Sequence, residues 1–191
     1  WIIYFSIPSF TTARKRGLTI PVLAMASFSI IYKRGTAAFG AACRENAIDG
    51  VILPDIPLEE APAVVETLRN VGLRTTLLVA PTSPPERRRA IARLCNAFVY
   101  YLSVSGITGE RQELPADVGP NVAELRKTTD CPICVGFGIS TAAQVREVTR
   151  VADGAIVGSA LIRRLATRSD ADAATQVAAV KSFVTNLAEG L

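Results

Sequence analysis

Histidine is absent from the 191 residues, and four cysteines without it do not suggest a zinc centre. No metal is expected. Cys131-Pro132-Ile133-Cys134 has the spacing of a redox dithiol, but it runs directly into the apolar Val135-Gly136-Phe137-Gly138. That context places the pair in a strand, where positions i and i+3 face opposite ways, so the thiols read as reduced packing residues of a cytoplasmic protein. Long hydrophobic runs are also missing. No apolar stretch approaches the roughly 20 residues that span a bilayer. The opening WIIYFSIPSF has no basic region before it and no small-residue cleavage site after it, so it does not read as a signal peptide. The first residue is Trp1 rather than Met, which points to processing or to a longer parent chain. Aromatic residues make up 6% and none interleaves with Arg14-Lys15-Arg16 or Arg87-Arg88-Arg89, which argues against nucleic acid as a partner. Both runs are expected on solvated outer faces of helices. The net charge of +4 suits small anionic ligands equally well.

What is present is an alternation. Near-continuously apolar runs at 20–26, 50–55, 74–80, 98–104, 131–138 and 153–159 read as strands buried on both faces. Helical patterns fill the gaps at 36–47, 59–71, 83–94, from 141 onward, 160–168 and 172–188. Ser83-Pro84-Pro85-Glu86 and Thr141-Ala142-Ala143-Gln144 both have the form of a capping box. Six strand–helix units in succession imply a parallel sheet with helical crossovers. An open doubly wound sheet takes six units as they stand, whereas a (β/α)8 barrel takes eight and about 250 residues. No linker, repeat or low-complexity segment divides residues 1–191, which are therefore expected to form a single domain.

Ligands of either architecture sit at the carboxyl ends of the strands. Two consecutive ends, Gly136-Phe137-Gly138-Ile139-Ser140 and Val157-Gly158-Ser159-Ala160, are glycine-rich and each enters a helix. Bare backbone at a helix N-terminus makes an anion site without a charged side chain, so Gly136, Gly138, Gly158 and Ser159 are candidates for binding a phosphate. Phe137 is left to wall something flat. The segment 103–120 is long for a strand-to-helix connection and glycine-hinged, which suits a lid or, more plainly, an insertion. Asp55 closes the strand at 50–55; it suits a general base, but the structural role of capping the next helix or orienting a loop is favoured. Tyr100 and Tyr101 alternate, so one faces inward and the other faces the helices.

Together GVILPDIPLEEA, YYLSVSGITGER, PICVGFGIS and AIVGSALI resemble the tryptophan synthase alpha subunit, in that family's order, over roughly residues 20 to 188. The resemblance implies a (β/α)8 TIM barrel, of which about six βα units, strands 3–8, are represented here. It also implies an aldol-type lyase that cleaves indole-3-glycerol phosphate to indole and glyceraldehyde 3-phosphate in tryptophan biosynthesis. By the same resemblance the chain itself needs no cofactor. Its partner is a beta subunit that carries pyridoxal phosphate, in an alpha2-beta2 heterotetramer.

Carried over motif by motif, Gly136, Gly138, Gly158 and Ser159 hold the substrate phosphate, with help from Gly109. Thr108 is the lid threonine, and Ile52, Tyr100 and Phe137 border the indole. Asp55 matches an aspartate of loop contacts and communication with the beta subunit. Departures accompany the match. The family's catalytic glutamate and aspartate belong to the second strand and the loop after it, which by this alignment precede Trp1. No catalytic residue is therefore expected within the chain, and as given it is expected to be inactive and marginally folded. A Tyr-x-Asn common after the third strand is replaced by Ser27-Phe28-Ser29. Two alternatives remain: a noncatalytic relative that binds phosphate or indole or regulates a beta chain, and another phosphate-sugar barrel. The second would place acidic or lysine side chains at several strand ends, where this chain has Asp55 alone.

Overall fold

A computed structural model of the chain describes residues 8–103, 114–136 and 138–191. They group into two compact units, one of the described residues up to 78 with 93–98 and one of 79–92 with those from 99 onward.

The first unit runs α1 (Pro8–Lys15), β1 (Leu23–Met25), α2 (Phe28–Arg34), α3 (Thr36–Glu45), β2 (Gly50–Leu53), α4 (Ala61–Asn70) and most of β3 (Arg74–Val79). Its strands pair in parallel and in chain order, with Leu23 opposite Gly50 and Ile52 opposite Thr76. Helix α4 forms because Ala61, Val64, Val65 and Leu68 recur at helical spacing, and all four are buried. Helix α3 lies close against it at Gly40, where a Cβ would come within 2.9 Å of Val71 Cγ2. Any larger residue there would push the two helices apart.

Two elements of this unit have no counterpart in the sequence expectations. Helix α1 is held by Arg14, which ion-pairs with Asp49 and donates to the carbonyls of Leu18 and Ile20. The same Asp49 accepts from Val22 N–H at 2.7 Å, so one carboxylate joins α1 to the start of β1. Helix α2 lacks a local side-chain cap. Its first N–H, on Phe28, donates to Asp55 Oδ1 at 2.7 Å, a cap supplied from 27 residues away that no local pattern reveals.

The second unit continues with α5 (Pro85–Leu94), β4 (Val99–Leu102), α6 (Val118–Arg126), β5 (Ile133–Gly136), α7 (Ala142–Thr149), β6 (Gly154–Ala155), α8 (Ser159–Ala166) and α9 (Ala173–Ala188). Strands β4, β5 and β6 are parallel neighbours in that order, with Tyr100 opposite Cys134 and Cys134 opposite Gly154. Helix α6 starts at Val118, before Pro120, which its first turn tolerates because the N–H there has no helical partner.

The strands depart from expectation in length and in burial. All six are shorter than their apolar runs, β6 most of all at two residues. Nor are both faces equally covered. Val99, Tyr101, Ile133 and Val135 are fully buried, whereas Tyr100, Leu102, Cys134 and Gly136 are half-buried. The buried face is the one that meets the helices, because Tyr101 Oη accepts from Asn121 Nδ2 of α6 at 2.9 Å.

Behind that bond lies a second correction. Arg88, expected on a solvated helix face, is only 9% exposed and donates to Asn121 Oδ1 at 2.5 Å. Its neighbour Arg89 pairs with Glu124 at 2.9 Å. The basic run thus ties α5 to α6 and, through Asn121, to β4. Among the described residues no helix is long and apolar enough to cross a membrane.

Candidate functional site

The half-buried face of β4 and β5 carries two of the residues expected at the site, Tyr100 and Gly136. Tyr100 lies there, its ring against Gly136 on the neighbouring strand. A Cβ on Gly136 would meet Tyr100 Cε2 and Oη at 3.0 Å, so the absence of a side chain is what lets the ring lie across β5. Burial raises the Tyr100 phenol above its usual range, which keeps it a neutral hydroxyl at physiological pH. Ser103, at the end of β4, donates through its backbone N–H and its hydroxyl to the Gly136 carbonyl, at 3.2 and 3.3 Å. The strand ends are thereby joined side by side.

Beyond Gly136 the chain turns at Gly138, whose φ of +85° is a left-handed conformation that favours glycine. It then enters α7 through a complete capping box. Thr141 Oγ1 accepts from Gln144 N–H, and Gln144 Oε1 accepts from the N–H groups of Ser140 and Thr141. Those N–H groups are therefore already engaged by the protein.

The start of α8 differs. Gly158 precedes it with no side-chain cap, is exposed, and has nothing among the described residues within 4 Å of where a Cβ would stand. Two adjacent glycine turns thus have different fates: one N-terminus closes on itself, and the other, with Ser159 as its first residue, is not covered by any described residue at Gly158. Only the open one offers backbone N–H groups and the positive end of a helix dipole to an outside anion. The turns are near each other, since Ser140, Thr141 and Ala160 line one cavity.

The remaining expected residues fall as follows. Ile52 sits half-buried in the middle of β2. Asp55 is exposed, accepts from Phe28 N–H at 2.7 Å and from Ser27 Oγ at 2.5 Å, and so anchors the loop that opens α2. Ser27, which the sequence marked only as a departure, is Asp55's partner; a serine one residue before a helix was the available signal. Thr108, Gly109 and Phe137 lie outside the described residues. Cys134 faces Gly154, and its thiol is pushed up to about 11 by burial and by the nearby Asp153 carboxylate, so it stays protonated at neutral pH. Among the described residues no group of three or more potential metal ligands comes together.

An α/β fold of six parallel strands alternating with helices is that of the (β/α)8 barrel class. The comparisons are specific within it. The model of the family described as tryptophan synthase alpha chain matches residues 6–191. Tryptophan synthase alpha chains of Picosynechococcus and Thermosynechococcus vestitus are 43% and 45% identical over 91% and 82% of this chain. That of Methanocaldococcus jannaschii is 38% identical over 82%. The chain spans 65%, 59% and 57% of those three relatives.

Among solved structures, an Aquifex aeolicus protein superposes with a TM-score of 0.82 at 33% identity, covering 97% of this chain and 67% of its own. The Pyrococcus furiosus tryptophan synthase alpha-subunit superposes with 0.78 at 27% identity, covering 91% of this chain and 69% of its own. This chain belongs to the tryptophan synthase alpha chain family.

Proposed function

We propose that this chain is the alpha chain of a tryptophan synthase, a carbon–carbon lyase component that binds indole-3-glycerol phosphate for aldol-type cleavage to indole and glyceraldehyde 3-phosphate. The observation that carries the binding role is the open N-terminus of α8, with Gly158 unoccluded and Ser159 adding a hydroxyl. In this reading the phosphate seats there, with Gly138 and Gly136 on the neighbouring strand end, and the family resemblance adds Gly109 to the same role. Tyr100, Ile52 and Phe137 border the indole ring, and Thr108 serves the lid. This reading gives the described residues binding and positioning roles and assigns the acid–base step to none of them. Asp55 in particular is committed to α2 by its two hydrogen bonds, which supports its role in loop contacts rather than in proton transfer.

The partner in this reading is a beta subunit in an alpha2-beta2 assembly. A Mycobacterium tuberculosis tryptophan synthase chain, solved in an aminoacrylate-bound form, superposes on 96% of this chain with a TM-score of 0.77 at 25% identity. Pyridoxal phosphate belongs to that partner, this chain carries no cofactor, and the assembly is cytoplasmic.

The test is calorimetric titration with indole-3-propanol phosphate, an uncleavable analogue. Saturable binding to the chain and its loss in Gly158→Asp, with the fold retained, is the expected result. Equal binding by both proteins would remove the α8 site from the reading.

A further inference from the structure

We draw no further inference here: the strongest candidate, the apolar groove of the second unit that Ala155, Leu161, Val184, Leu187 and Leu191 line beside β6, α8 and α9, is an unpartnered face, and nothing in the structure shows what covers it.

Discussion

Gly158 and Gly136 are both glycines at a strand end, yet they are glycines for opposite reasons. Among the described residues nothing occupies the space beside Gly158, whereas Tyr100 fills the space beside Gly136. Gly158→Ala is therefore expected to melt within a few degrees of the parent, and Gly158→Asp to lose analogue affinity by more than about tenfold through repulsion at short range. Gly136→Ala behaves differently. It drives a methyl into the Tyr100 ring and is expected to destabilise by about 1–3 kcal/mol, measurable by denaturant unfolding. Adding Tyr100→Leu, which removes the ring edge and hydroxyl, is expected to recover much of that loss. If the two changes are simply additive, the contact does not explain the glycine. The two glycine-rich turns were legible as a motif in the sequence. Which of them is held open for a ligand and which accommodates a neighbour was not, because that depends on a tyrosine 36 positions away.

At the scale of elements, caps and cross-links set the stability. The α7 box uses Thr141 and Gln144, residues three apart, and the local pattern announced it. Thr141→Ala is expected to cost about 1 kcal/mol in chemical denaturation. Helix α2 escaped notice for the converse reason: its cap is Asp55, and its own sequence carries no side chain that does the job. The run Arg87-Arg88-Arg89 misled in a related way. Charge alone suggested a solvated face, but Arg88 hydrogen-bonds the buried side of Asn121, which in turn donates to Tyr101. Arg88→Ala leaves the Asn121 carbonyl without that donor and is expected to cost about 1.5–3 kcal/mol, as for a hydrogen bond to a charged group. A melting temperature unchanged from the parent would show that the bond contributes nothing net.

For the whole molecule, pH is the informative variable. Partial burial acts to raise the Asp153 carboxyl, but hydrogen bonds from Ile133 N–H and Arg126 outweigh it and hold the group below its ordinary 3.8. A carboxyl depressed in the folded state stabilises the fold above its unfolded value and loses that contribution as pH falls through its folded value. Asp153→Asn is thus expected to be less stable than the parent at pH 7 and to converge with it as pH falls through the depressed folded value, as followed by urea unfolding at each pH. The side chain is 36% exposed, so solvent screening keeps the difference to roughly 1 kcal/mol. A constant gap at every pH would assign the loss to packing rather than to charge.

By itself the sequence determined the class of fold, the family and the glycine turns, because all three are carried by short-range patterns. Apolar runs punctuated by helical periods count out strand–helix units, and GFGIS and VGSA are contiguous. Tertiary structure alone decided the rest. It made one face of each central strand of the second unit fully buried and left the other half-covered, a distinction invisible in runs that are apolar throughout. It closed the start of α7 with a capping box and left the start of α8 without a side-chain cap. The physical reason is common to these cases. Burial, capping and charge pairing are completed by partners tens of residues away, and only packing determines which partners meet.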